Sequence, residues 1–304
     1  MALAGVSDVY SASNDLLAAF LGLHIAGSQV HRGTNTLGEA LTQPLAQPLS
    51  HPPLATDEVV YASMDGSMIL TDSGWQEIKL GRVFTSQSRV ANGQKDDGQT
   101  RFRLRESTYS GHLGPFGEFT VKFEASLGTY KIQPERLVFV TDGAVWIQHY
   151  IEQTYPLATH ILDYYHALEH LAAFARLHFA HPWVRTQWVE TQQAHLLSDE
   201  LDAVLGNLAA LKKLSPEARK ERINLVAYYG QNRQRMQYGS FRARGLLIGS
   251  GPMEAAHRTV IQTRMKRSGQ RWTDRGAQAM INMRVAFKSD RWHLVKQQLK
   301  EDTR

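Results

Sequence analysis

Cysteine is absent from the 304-residue chain. That excludes disulfide staples, a thiol nucleophile, thiolate zinc sites and Cys-ligated iron–sulfur clusters. No lysine or arginine precedes Arg32, so the basic n-region of a secretory signal is missing. The longest uncharged, fairly apolar stretch, Leu16 to His31, is too short and too polar to span a bilayer. With 42% hydrophobic and 21% charged residues, the composition is that of a globular protein with one large or two medium cores. The sequence reads as soluble and cytoplasmic.

The formal charge of +5 gains meaning from where it sits. Between Phe241 and Arg275 there are eight basic residues (Arg242, Arg244, Arg258, Arg264, Lys266, Arg267, Arg271, Arg275) against Glu254 and Asp274, a local +6. The rest of the chain is near neutral. A clustered stripe of this kind is the footprint of a phosphate-backbone contact, with a solvated helix face as the plainer reading.

Texture divides the chain. Residues 1–42 read as two short helices around a Gly-containing turn, a helix-turn-helix-like segment. Residues 43–56 carry Pro44, Pro48, Pro52 and Pro53 and read as a linker. Strands are expected at Val59 to Leu70, Trp75 to Ser86, Arg101 to Ser107, Leu137 to Val140 and Ala158 to Leu162. Helices are expected at Gly114 to Leu127 and Val145 to Tyr155. This order describes an α/β fold, a mixed sheet with flanking helices, whose core comprises residues 57–163 and 241–290. Residues 164–240 show only helical periodicity, and so long a block is an all-helical insertion. Residues 291–304 form a basic, polar tail.

Three Asp-Gly pairs occur, and the ordinary meaning of each is a turn. Asp97-Gly98, within NGQKDDGQ, fits that meaning. Asp65 instead lies inside an apolar run, and Asp142 follows a buried strand. A carboxylate in either place needs a counter-charge, and two in one sheet suggest a shared cation. Glu254 follows Pro252 at a helix start, where capping and dipole chemistry account for it. In the company of His257, Arg258, Arg264, Lys266 and Arg267 it also suits a metal-dependent phosphoryl-transfer site. Hard cations such as Mg²⁺ take carboxylate oxygens, and a pair of them activates the attacking oxygen and stabilises the leaving one. Asp163 reads as a helix N-cap. His166 and His170 are spaced as a zinc pair, but no third ligand has matching spacing and HExxH is absent. Trp75, Trp146 and Trp272 read as core residues.

Several ordered strings carry a resemblance: SMDGSMI, W-x-E-x-K-L-G-x-V-F from Trp75 to Phe84, VTDGAVWI, ILDYYHALEHL, and GSG-x-M-E with RMKRSGQRW. Together, from about Val59 to Phe287, they resemble bacterial insertion-sequence transposases of the Kra type, within the Mutator-like group. The resemblance implies a ribonuclease-H-like core with Asp65, Asp142 and Glu254 as the catalytic, metal-binding DDE triad. Two Mg²⁺ ions are implied, with Mn²⁺ able to substitute. Asp163 and His166 match the group's C/D(2)H signature and are implied to be auxiliary site residues. Arg258, Arg264, Lys266, Arg267 and Arg271 are the expected DNA-binding residues. The expected partners are element ends and target DNA, with the chain acting as a nucleoid-associated homo-oligomer. Such transposases usually carry a longer N-terminal DNA-binding region than the 42 residues before the Pro-rich segment.

Two other functions share these features. One is a transposase-derived DNA-binding protein without catalysis, which would keep the basic stripe but needs no carboxylates. The other is a metal-dependent nuclease of the same fold. A glycosidase built on paired carboxylates has no sugar groove to support it.

Overall fold

The protein is described by a computed structural model covering residues 1–94 and 100–301. The Asp97-Gly98 turn lies outside them. The chain forms two compact units, one made of Met1–Leu137 with Gly251–Arg304 and the other of Val138–Ser250.

The first unit opens with helices α1 (Ala2–Ser7), α2 (Tyr10–Leu21), α3 (Gly27–Ala40) and α4 (Thr42–Leu45). Strands β1 (Val60–Thr71) and β2 (Gly74–Thr85) make an antiparallel hairpin, with Asp65 opposite Leu80. Strands β3 (Arg89–Gln94) and β4 (Thr100–Leu104) form a separate two-stranded ribbon. Strand β5 (Thr108–Leu113) then pairs antiparallel with β2, placing Leu80 opposite Gly111, and α5 (Phe116–Leu127) follows. The expected strand over Arg101 to Ser107 is therefore corrected. Its first half belongs to the ribbon, and the strand beside β2 is TYSGHL, whose serine, glycine and histidine hide it from a hydropathy pattern.

In the second unit β6 (Leu137–Thr141), α6 (Val145–Thr154) and β7 (Thr159–Leu162) form a right-sized strand–helix–strand element. Its strands pair in parallel, Val140 with Ile161. Helices α7 (Tyr164–His178), α8 (Pro182–Leu197), α9 (Leu201–Ala210), α10 (Pro216–Gln231) and α11 (Tyr238–Ala243) complete it. The helical block thus folds with β6, α6 and β7, and the unit begins at Val138 rather than at residue 164.

Back in the first unit, α12 (Gly251–Ala256) continues through a π-helical turn (His257–Gln262) into α13 (Thr263–Met265), followed by α14 (Asp274–Lys288) and α15 (Trp292–Glu301). Both units are α/β, antiparallel in strand sense in the first and parallel in the second. Helix α14 is the core element: Ala277, Met280, Ile281, Met283 and Val285 are all buried, as are Asn282 and Arg284. A helix apolar on so many sides must be enclosed.

Part of that enclosure is the N-terminal segment. Val6, Leu37, Leu41 and Leu45 join the same core as Ile78, Leu80, Met280 and Ile281, each buried side chain contributing roughly 1.5–3 kcal/mol. Asn282 donates to the Gly38 carbonyl at 2.9 Å, and Arg284 donates to the Val6 carbonyl at 2.9 Å. Residues 1–42 are thus not a tethered module. The Pro-rich segment is docked as well: Leu49 N–H donates to the Ala125 carbonyl at 2.9 Å, and the Leu49 carbonyl accepts from Thr129 at 3.0 Å. Its prolines rigidify a docked strap instead of freeing a linker. Residues 292–301, expected as a polar tail, are helical, with Val295 buried. Trp272 is buried as expected, whereas Trp75 is 66% exposed. Among the described residues no helix is long and apolar enough to cross a membrane.

Candidate functional site

Asp65 is no turn residue, because β1 runs straight through the Asp65-Gly66 pair. The inner half of the strand, Val60 to Met64, is buried, and exposure begins at Asp65. The strand thus carries a carboxylate out of the core to its edge. Its Oδ1 accepts the Gly66 N–H at 2.6 Å, and its Oδ2 lies 3.1 Å from His257 Nε2. His257 is buried and neither ring nitrogen has a hydrogen-bond partner among the described residues, so its contact with Asp65 is one of proximity. Lys266 is also close: its ammonium donates to Ser67 Oγ, and burial, partly offset by Asp65, pulls its pKa down.

Glu254 is exposed on α12, one helical turn before His257. Side chains so spaced have Cβ atoms about 5–6 Å apart, and α12, which carries Glu254, packs against β1 and β2. The start of α12 is held by Arg82 on β2. This buried guanidinium donates to the Pro252 carbonyl and, from Nε and Nη2, to Ser107 Oγ at 3.0 and 2.9 Å. It lies 5.5 and 5.2 Å from the ring centres of Phe84 and Tyr109. With no carboxylate partner among the described residues, it is compensated by carbonyl and ring electrons, and burial pulls its pKa below the usual arginine value.

After His257 the π-helical turn changes the hydrogen-bonding step, and Arg284 takes up carbonyls there. It donates to Val260 at 2.9 Å and to Thr259. Such π-turns recur at functional sites.

The basic stripe is only partly a surface feature. Arg258, Lys266, Arg267 and Arg271 are exposed, and Arg267 pairs with Asp8 at 2.7 Å. Arg264 is corrected: at 1% exposure it donates to the Gly5 carbonyl at 3.0 Å. Its guanidinium sits 4.6 Å from the Tyr10 ring centre and 5.2 Å from that of Trp272. It bolts the N-terminal segment to the core and cannot meet a phosphate.

The second unit carries Asp142, Asp163 and His166. Asp142 ends the fully buried β6, and its Oδ1 accepts the Ala144 N–H at 3.0 Å, setting up α6. Gly143 is a packing requirement: a Cβ there would lie 2.4 Å from Tyr228 Oη and 2.6 Å from its Cε2. Tyr228, from α10, has a buried hydroxyl without a hydrogen-bond partner among the described residues. Burial raises its pKa most, Arg235 opposes, and Asp142 and Asp163 add to the rise. It stays a neutral donor beside Asp142.

Asp163 is buried, and both its oxygens are engaged. Oδ1 caps α7 through Tyr165 N–H at 2.8 Å, and Oδ2 accepts from Ser250 Oγ. Tyr164 N–H donates to the Ile248 carbonyl at 2.9 Å, and a Cβ on Gly249 would meet the Tyr165 ring at 2.6 Å. The GSG segment is therefore clamped onto the start of α7. His166 is partly exposed, its Nε2 3.2 Å from that of His170.

Asp65 and Glu254 thus belong to one unit, and Asp142, Asp163 and His166 to the other. Among the described residues no group of three or more His, Asp or Glu side chains is gathered as a ready metal site. A cavity of about 740 Å³ in the first unit, lined by His51, Glu58, Arg105 and Lys288 among others, includes none of the candidate residues. Arg82 and Tyr228 are the contributors that sequence reasoning missed, whereas His257 was named only as company for Glu254. Neither gave a local signal, Arg82 being an unspecified position of the Trp75-to-Phe84 string.

This arrangement defines an α/β protein with one carboxylate within a strand, one just after a strand, and a partly exposed basic helix. Residues 117–301 match the family described as the uncharacterised protein family UPF0236. The chain belongs to that family, and the matched stretch contains Asp142 and Glu254 but not Asp65. No curated protein matches the sequence.

Proposed function

We propose that the chain is a DDE transposase of the Kra type, within the Mutator-like group and with a ribonuclease-H-like core. In this reading it cleaves DNA at the ends of an insertion sequence and transfers the freed 3′-OH to target DNA. The observation that carries the reading is the surround of Asp65: a partly exposed mid-strand carboxylate 3.1 Å from His257. Glu254 stands one turn away, and exposed Lys266 is alongside. Oxygen donors next to cations suit a hard metal ion handling a phosphodiester.

Asp65, Asp142 and Glu254 are the carboxylates assigned to hold two Mg²⁺ ions, or Mn²⁺ in their place, and an all-oxygen donor set fits such ions. When bound, these ions supply an activated water and charge stabilisation for the leaving oxygen. The remaining work falls to the chain. His257 orients the Asp65 carboxylate, and Arg82 fixes the start of the Glu254 helix through the Pro252 carbonyl. Asp163 holds the GSG segment through Ser250, and His166 is the accessible member of that auxiliary pair. Arg258, Lys266, Arg267 and Arg271 neutralise phosphates. The proposed partners are element-end and target DNA, engaged by a nucleoid-associated, cytoplasmic homo-oligomer.

Two variants separate catalysis from binding. Glu254→Gln should abolish Mg²⁺-dependent cleavage while preserving or strengthening metal-free DNA binding, because it removes a negative charge that faces the phosphates. Arg271→Ala should weaken binding. Cleavage by Glu254→Gln at the wild-type rate would overturn the assignment.

A further inference from the structure

We propose that His166 and His170, one turn apart on α7, form a site for a borderline transition metal ion of the zinc, nickel or cobalt class, distinct from any carboxylate site for a hard cation. Their Nε2 atoms are 3.2 Å apart, and their rings stand at 86° with centroids 4.7 Å apart. An ion about 2.0–2.1 Å from each nitrogen would see them at an angle of about 100°, between the octahedral and tetrahedral values. Two facing imidazole nitrogens share at most one proton, whereas a cation uses both lone pairs.

The surroundings fit. Glu169 Oε2 lies 3.7 Å from His166 Nδ1, on the ring edge away from the facing Nε2 atoms, where a small side-chain shift would let the carboxylate accept from Nδ1 when Nε2 holds an ion. Glu221 is a second acid near enough to act on His170 through its charge. The Tyr228 ring packs 4.8 Å from that of His170 and restricts its rotation. Both histidines are partly exposed, giving an ion access. No third His, Asp or Glu joins them among the described residues, so the remaining positions are open to water or a phosphate oxygen. Nitrogen donors favour zinc, nickel and cobalt over Mg²⁺. The inference does not depend on the transposase reading, and an ion with open positions would let His166 reach a phosphate indirectly.

Calorimetric titration of the full chain with Ni²⁺ and with Zn²⁺ tests it, alongside His166→Ala, His170→Ala, Glu169→Gln and, as a control on the same helix, His178→Ala. Wild type should show one site that His166→Ala or His170→Ala weakens at least about tenfold, and that Glu169→Gln weakens about tenfold. His178→Ala and millimolar Mg²⁺ should leave it unchanged. Nitrogen-15 spectra should report coordination through both Nε2 atoms. Metal-free thermal unfolding checks that the variants fold, and His170→Gln repeats the test with a polar replacement. No Ni²⁺ or Zn²⁺ binding below millimolar concentration, or full affinity in His170→Ala and His170→Gln, would overturn the proposal.

Discussion

Replacing Gly143 by alanine adds a single methyl group beside Asp142, and the geometry decides the sign of its effect. The new carbon would stand 2.4 Å from Tyr228 Oη, 2.6 Å from Cε2 and 2.9 Å from Cζ, all inside ordinary contact. A ring cannot yield one atom at a time, and Tyr228 is backed by the His170 ring at 4.8 Å. Overpacking of this kind costs about 1–3 kcal/mol. Gly143 is not at positive φ, so without the clash the substitution would stabilise by about 0.4–1 kcal/mol through the unfolded chain. The net expectation is a loss of about 0.5–2 kcal/mol. In a Tyr228→Ala background the clash is gone, and Gly143→Ala should be neutral or mildly stabilising. Urea unfolding of the four proteins of this cycle measures the coupling, expected at about 1–3 kcal/mol. Additivity within about 0.5 kcal/mol, or stabilisation by Gly143→Ala in the wild-type background, would refute the claim that Tyr228 dictates glycine at this position.

Arg264→Met should cost about 1–3 kcal/mol of stability without altering the salt dependence of DNA binding. Arg271→Ala should leave stability within about 0.5 kcal/mol and flatten the salt slope by about one unit. Arg82→Lys keeps the charge but loses the fork that reaches both Ser107 and Pro252. It should slow cleavage about tenfold or more, read as single-turnover rates, while DNA affinity is unchanged. On acidification, His112 and His160 resist protonation. Burial, with Lys122 assisting, lowers His112 to about 4, and burial with Arg235 lowers His160 to about 3. Below the ordinary value of about 6.5 the unfolded chain binds protons that the native state refuses, so stability falls by about 2 kcal/mol per group by pH 5. His160→Gln should remove one share of that slope in urea midpoints taken at pH 7 and pH 5.

What the sequence disclosed depended on whether the cause was local. Strand β1 and its Asp65 were legible because an apolar run interrupted by a carboxylate is a local pattern, and Asp163 was legible as a cap for the same reason. Strand β5 was hidden because Ser110, Gly111 and His112 owe their burial to other elements. Arg264 looked like its exposed neighbours: what buries it is the Gly5 carbonyl and the Tyr10 ring, more than 250 residues away in sequence. The Pro-rich segment looked like a linker because its docking partners, Ala125 and Thr129, lie in and just beyond α5. Tyr228 reaches Gly143 from α10, and nothing near VTDGAVWI announces it.

The most direct test of the central proposal uses a plasmid carrying the DNA that flanks this coding sequence, incubated with Mg²⁺ and either wild type or Asp142→Asn. The account predicts strand nicking at the element ends by wild type only, with both proteins binding the DNA. If wild type binds but nicks no more than Asp142→Asn, the catalytic claim is contradicted, and a DNA-binding protein without catalysis takes its place.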